Sequence, residues 1–407
     1  MISATMPHSS STDISKSKEH GEIRDVEKTA DVEEMSNNDN DNESPRSEDI
    51  PPLRGLSILD RFLVVWILLA MAIGMVLGAK VPSAGPTLQR GTFVGVSIPI
   101  AIGLLLMMYP ILCKIRFESL ITRLFRRQTT PSKSSSPSLL KHLLLSILLN
   151  WLLAPALMTA LAWAFLPDRP DLRTGLIYVG IARCIAMVLV WTDLAGGDGE
   201  FCAVLVALNS VLQMVLFAPL AVFWVGVVGG EEVEGGVGEG YRRVAVSVAV
   251  FLGIPLGAAV VTRLILRALI GDHAYKAHFL RYISPISLLG LLYTIIVLFA
   301  SQGAHVVDQI TSVLRVCAPL LVYFLVVFSA TIFLCWKLGF GYGVSCAQGF
   351  TAASNNFELA IAVVVAVYGA GSGQALASTV GPLIEVPVLV ALVYVLKWVR
   401  RRWGWKG

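Results

Sequence analysis

Residues 181–200 read IARCIAMVLVWTDLAGGDGE, an apolar stretch with Arg183 and Cys184 near its middle; Cys184 stands 13 residues before a Gly-Asp-Gly turn that begins at Gly197. Residues 354–373 read SNNFELAIAVVVAVYGAGSG, and there Glu358 stands 13 residues before a Gly-Ser-Gly turn that begins at Gly371. One shift of 174 residues lays both pairs on each other. A weaker echo, at a shift of 187, lays Ser97 and Gly103-Leu104-Leu105 on Ser284 and Gly290-Leu291-Leu292. The difference of 13 between the two shifts fits a longer basic loop in the first half. If each copy crosses a membrane an odd number of times, the two copies insert with opposite orientation. That is a transporter architecture, with the site at the interface of the repeats near the membrane midplane.

The rest of the chain supports membrane crossing. Of 407 residues 55% are hydrophobic and only 15% charged. Charge is also unevenly placed. The first 50 residues carry 13 Asp and Glu against 5 Lys and Arg, whereas the remaining 357 carry 15 acids and 27 bases. The first 50 are rich in Ser, Asn, Asp and Glu and contain no aromatic residue. Such a segment cannot bury a core, so residues 1–54 are expected to be a disordered acidic tail. After it, apolar runs of about twenty residues recur, each long enough for the hydrocarbon. Ten spans are expected, at roughly 58–79, 92–113, 139–166, 173–194, 201–228, 242–266, 283–301, 313–335, 343–369 and 374–397. The first apolar run follows a polar N-terminus and reads as a span, not a cleavable signal peptide.

The fold class expected is therefore an all-α polytopic membrane protein. Residues 55–228 and 242–399 would form two inverted five-helix repeats, with 229–241 an acidic Gly-rich loop and 400–407 a basic tail. Basic residues cluster in 114–138 (Lys114, Arg116, Arg123, Arg126, Arg127, Lys133), in 267–282 (Arg267, Lys276, Arg281) and at the C-terminus. The positive-inside rule puts these, and both termini, in the cytosol, and Glu231, Glu232, Glu234 and Glu239 outside.

Polar residues at membrane depth mark a candidate site. An arginine at the depth of Arg183 costs roughly 2.5–3.5 kcal/mol on insertion scales unless it faces a cavity or partner. Glu358 and Glu385 are equally deep, and Asn209, Gln213, Asn355 and Asn356 add amides at similar depth. One or two amides would be explained by hydrogen bonds between helices; the concentration in spans 4, 5, 9 and 10 fits a polar cavity better. Pro382 and Pro387 flank Glu385 and each remove a backbone donor, and Asn355-Asn356 is a poor helix run. Helix breaks at that depth are tolerated where they line a cavity.

Of the six cysteines, Cys113, Cys202, Cys317, Cys335 and Cys346 read as packing residues. Cys184 differs because it adjoins Arg183 and corresponds by repeat position to Glu358. A neighbouring cation suits a thiolate, the form that ligates metals and thiophilic species. A single sulfur allows binding weak enough for release. Glu358 could carry a coupling proton, neutralise Arg183, or both. Neither a nucleotide loop, a catalytic triad context nor metal-like histidine spacing is present, so an enzyme, a cofactor and a nucleic-acid partner are not expected.

The strings RCIAMVLVW, LVALNSVLQ, SNNFELAIAV and GPLIEVPVLVALVYV together closely resemble the arsenite efflux permeases, within the bile acid/sodium symporter superfamily. The resemblance runs in order over roughly residues 55–400, and the N-terminal tail and long basic loop look like those of a fungal member. What it implies is a ten-span inverted-repeat fold with panel and core domains, and crossed, partly unwound fourth and ninth spans. The implied activity is extrusion of trivalent arsenite, in some members antimonite, in exchange for protons. The family's essential cysteine falls on Cys184 and its essential glutamate on Glu358. The implied division has Cys184 ligating arsenic(III) and Glu358 carrying the proton, with Arg183, Asn209, Gln213, Asn355, Asn356 and Glu385 around them. The implied place is the plasma membrane, with the vacuolar membrane an alternative. A sodium-coupled organic-anion symporter is the alternative function, and would leave Cys184 idle. Oligomeric state is not legible.

Overall fold

The computed structural model describes residues 62–81, 83–115, 136–185, 187–230, 236–301 and 306–405. The acidic tail, most of the 114–138 loop, and Glu231, Glu232 and Glu234 lie outside the described residues.

Helices dominate. In chain order they are α1 (Leu63–Lys80), α2 (Ala84–Leu88), α3 (Ile98–Cys113), α4 (Ser136–Leu148), α5 (Ala154–Phe165), α6 (Pro170–Ile181), α7 (Met187–Leu194) and α8 (Gly199–Ala221). They continue with α9 (Gly236–Val248), α10 (Ile254–Ala274), α11 (Leu280–Ser301), α12 (Val306–Lys337), α13 (Tyr342–Ala353), α14 (Phe357–Tyr368) and α15 (Gly373–Trp403). Short π-helical turns join α4 to α5, extend α8, and join α9 to α10 and α10 to α11.

Six helical segments among the described residues are long and apolar enough to cross a membrane: Leu63–Lys80, Leu139–Phe165, Gly199–Val228, Gly238–Ser301, Ile310–Lys337 and Gly373–Arg402. Their outer faces carry large apolar side chains. On α1 alone, Val65, Leu68, Leu69, Ile73, Val76 and Leu77 are exposed. A stripe of that length facing water would drive aggregation, so hydrocarbon is its solvent. The Gly238–Ser301 run of 64 residues is far too long for one pass. It contains Gly271 at φ 81°, and α10 and α11 both pack against α3.

Two differences from the sequence reading have a local reason. Helix α3 starts at Ile98, six residues after the expected 92, because 92–97 form a hairpin in which Thr92 pairs with Ser97 and Phe93 with Val96. β-formers flank a tight turn there, and Pro99 fits the first turn of the helix, where its missing N–H is not needed. Helix α15 runs unbroken through Pro382 and Pro387, where loosening was expected. Each proline removes a single donor, and the packing of α15 against α6, α12 and α14 holds the rest.

The helices pack as two bundles. Helices α1, α3, α10 and α11 pack on one another; α5, α6, α12, α13, α14 and α15 form the other group, with α7 and α8 against α13. The bundles meet where α1 touches α15 and α3 touches α14, and α9 packs against α8 and α14. At the centre of the first bundle Gly103 and Gly290, the pair related by the 187-residue shift, meet. A Cβ on Gly290 would lie 2.8 Å from the Met107 amide nitrogen and 3.2 Å from the Gly103 carbonyl.

Candidate functional site

Helix α6 ends at Ile181 and α7 begins at Met187, while α13 ends at Ala353 and α14 begins at Phe357. The exposed backbone of the two breaks pairs antiparallel, Arg183 opposite Asn355. The Cys184 amide donates to the Ser354 carbonyl (3.4 Å), and the Asn356 amide to the Ala182 carbonyl (3.2 Å). Each break thus satisfies part of the other's freed backbone, which apolar surroundings require.

Arg183 is fully buried and sits where two helix C-termini converge. Its guanidinium donates to the Gly180 carbonyl near the end of α6, to the Ala352 carbonyl at the end of α13 (3.3 Å), and to the Tyr323 hydroxyl of α12 (3.3 Å). Helix C-termini carry partial negative charge and unpaired carbonyls, so one cation stabilises both ends. Among the described residues, no ion pair joins Arg183 to Glu358. Asn355 completes the capping: its Nδ2 donates to the Val179 carbonyl (2.8 Å) and to the Ala182 carbonyl (3.2 Å).

The opposite helix ends, the positive ones, face the site. Asn356 is the N-cap of α14, its Oδ1 accepting from the Leu359 amide (3.0 Å), and Glu358 follows in the first turn. Cys184 lies three residues before α7 begins. A small cavity of about 30 Å³ joins these groups. Cys184, Asn355, Glu358 and Glu385 supply its polar wall. Leu63 of α1 and Leu291 of α11 come from one bundle, and Met187, Phe357, Pro382 and Val386 complete it from the other. The cavity therefore lies on the seam between the bundles, with room for a water-sized species. Ser354, which the sequence reading passed over, donates its hydroxyl to Glu385. Among the described residues the Oδ1 of Asn355 has no hydrogen-bond partner, which leaves it available to accept one. Gly381 makes room for the Phe357 ring, since a Cβ there would fall 1.7 Å from Phe357 Cε1.

The eight candidate residues thus divide. Cys184, Asn355, Glu358 and Glu385 line the cavity. Arg183, Gln213, Asn209 and Asn356 surround it in bracing positions: the Arg183 amide donates to Gln213 Oε1 (3.0 Å), and Trp151 Nε1 donates to Asn209 Oδ1 (3.1 Å). Tyr323 and Trp151 were not identified from the sequence, because an aromatic within an apolar run looks the same whether or not its polar tip is used. Ser354 carried a signal, its place directly before the Asn pair.

The 174-residue relation reappears in the turns. Asp198 is the N-cap of α8 and accepts from the Phe201 amide (2.8 Å); Ser372 is the N-cap of α15 and accepts from the Ala375 amide (3.1 Å). Equivalent residues therefore make the same cap, three positions on in both cases.

The sodium bile acid symporter family model matches residues 101–309. The arsenical-resistance protein Acr3 of Corynebacterium glutamicum is 47% identical over 348 residues, which cover 84% of this chain and 90% of that protein. An uncharacterised transporter of Synechocystis is 33% identical over 361 residues, covering 84% and 89%. The arsenical-resistance protein Acr3 of Alkaliphilus metalliredigens is 30% identical over 352 residues, covering 84% and 92%.

Proposed function

The chain is a multi-pass membrane protein that belongs to the sodium bile acid symporter family, and on that premise we propose that it extrudes arsenite from the cytosol in exchange for protons. The observation that carries this reading is the cavity on the seam between the bundles, which sets one thiol, Cys184, beside two carboxylates, Glu358 and Glu385.

The chemistry follows from the groups. Arsenous acid is small, neutral near physiological pH and thiophilic, so Cys184 is its ligand. The free Asn355 Oδ1 and the carboxylates accept hydrogen bonds from its hydroxyls. Glu358, at the positive end of α14, alternates between binding a proton and accepting from substrate, so entry of one accompanies exit of the other. Arg183 shapes the site by holding both half-helix ends. Antimonite, with the same valence and softness, is a second substrate on this reading. A sodium-coupled organic-anion symporter is the second reading, and it would leave Cys184 idle in the cavity wall.

The architecture is read as ten crossings in two inverted repeats. The Gly238–Ser301 run supplies two, Ile98–Cys113 one, and the interrupted pairs α6–α7 and α13–α14 one each, beside the five other long segments. The paired breaks at 182–186 and 354–356 support crossed half-helices, and the equivalent caps at Asp198 and Ser372 support the repeat. Alternating access is then movement of one bundle against the other around the seam. Both termini are cytosolic in this arrangement, and a plasma membrane provides the inward proton gradient.

The test is arsenite accumulation in everted vesicles, with and without an imposed proton gradient. Gradient-driven uptake by wild type that vanishes in Cys184→Ala is expected. Undiminished uptake in the variant removes Cys184 from the mechanism, and uptake indifferent to the gradient removes proton exchange.

A further inference from the structure

A second cavity lies away from the Cys184 site, between the 92–97 hairpin, α9 and α14. It measures about 410 Å³ and is lined by Val94, Gly95, Glu239, Arg242, Arg243 and Ala366, among others. Glu239 bridges both arginines within α9, so the cavity is polar on one side. The tip of the 92–97 hairpin and the last turn of α14 form its other side.

That tip is unusual. Val94 and Gly95 are the two turn residues between the paired strands, and both have positive φ, 52° and 77°. Turns of this kind favour Asn and Gly, and a β-branched residue at positive φ is an outlier. Strain of this sort persists only where the surroundings enforce it, and it gathers at switch regions. Beside the turn, Val96 is buried and Phe93, itself exposed, lies edge-on to Phe251 at 6.4 Å. The tip is fitted against the other bundle, since a Cβ on Gly95 would stand 2.5 Å from the Ala366 carbonyl oxygen. Ala366 is eight residues beyond Glu358 on α14, about 12 Å along the axis at 1.5 Å per residue.

We propose that the 92–97 hairpin is a gate: its tip, seated on the last turn of α14, closes the seam between the Cys184 site and the 410 Å³ vestibule. Opening requires the tip to leave Ala366, and the strained Val94 turn keeps that contact easy to release. The inference rests on the transport reading, and on that topology the vestibule is the outer, exit side.

The test uses the full chain in sealed right-side-out vesicles, with an impermeant maleimide outside and mass spectrometry to assign labelled cysteines. In Gly95→Ala the added methyl group holds the tip off α14. Labelling of Cys184 is expected to rise severalfold over wild type, with arsenite flux reduced severalfold. Wild-type labelling and flux in a folded Gly95→Ala protein overturn the gate. If that variant does not fold, Val94→Asn decides, because Asn relaxes the turn without touching Gly95. Reduced Cys184 labelling with slower flux supports the gate, and no change in either overturns it. Wild-type protein that moves no arsenite defeats the transport reading instead, and the labelling contrast still decides the gate.

Discussion

At 182–186 the freed backbone is held by side chains reaching in from elsewhere. Gln213 of α8 takes the Arg183 amide, Asn355 caps α6 from the other break, and Arg183 itself leans on Tyr323 of α12. At 354–356 the helix that follows is capped from within the break, by Asn356 on α14, while the helix that precedes is capped by Arg183 from the other break. Corresponding places in the chain thus share some supports and differ in how the following helix begins. The position of Cys184 depends on α8, α12 and α14 together, while that of Glu358 depends mainly on its own helix. A ligand that must be grasped and released suits the first arrangement, and a group that must titrate in one place suits the second.

The sharpest way to break this comparison is to separate binding from coupling. Cys184→Ser is expected to lose arsenite binding, measured calorimetrically on purified protein, and with it all uptake. Glu358→Gln is expected to keep binding and lose uptake driven by the gradient. Equal loss of binding in both would end the division of labour.

A second contrast concerns stability. Arg183→Met leaves buried carbonyls at two helix ends without a donor, at about 1–3 kcal/mol each. Asn356→Ala removes one cap, worth about 1 kcal/mol. Denaturant unfolding in detergent should rank Arg183→Met as the more damaging; the reverse order would mean that the self-capped break is the weaker one. Gly381→Ala is of the same order. Its methyl group displaces Phe357 from the cavity wall, costing about 1–3 kcal/mol if the ring cannot move, and should slow flux before it unfolds the protein.

The smallest effect belongs to a surface pair that ties the entry of α6 to α12. Arg315 donates to Asp168 (2.8 Å) and holds its carboxyl below the usual carboxylate range. Because the folded value is depressed, any stabilisation is present above the ordinary carboxylate value of about 3.9 and is lost as pH falls below it. Asp168 is exposed, so Asp168→Asn should barely move the thermal midpoint at neutral pH, and the small difference should disappear in acid. A large shift at neutral pH would show that α6 is held from its outer end as firmly as from its break.

Much of the membrane organisation was legible because lipid imposes long apolar runs, and the deep polar residues stood out against them. The pairing of Cys184 with Glu358 was legible from spacing alone. What those side chains face was not. Arg183 looked from its neighbours like a partner for Glu358, yet it donates to carbonyls at two helix ends and to the Tyr323 hydroxyl, because carbonyls freed at depth need donors from side chains. Asn209 and Gln213 have the same depth and chemistry as Asn355, and only three-dimensional placement separates bracing from lining. The hairpin at 92–97 was absorbed into an expected span, since six residues of mixed polarity leave a hydropathy window almost unchanged.

The meeting of Gly103 and Gly290 has a mechanical consequence. Two rods that touch without any cushion between them cannot slide past one another, and the side chains of Thr294 and Tyr293 and the backbone of Met107 close in on the contact. The bundle built around it is therefore stiff. In the proposed transport cycle it is the frame of a hinge, and displacement falls on the faces where α1 meets α15 and α3 meets α14, beside the thiol and the carboxylates. A wedge as small as one methyl group at Gly290 would loosen the fulcrum itself, and the lever would lose travel without any change at the load.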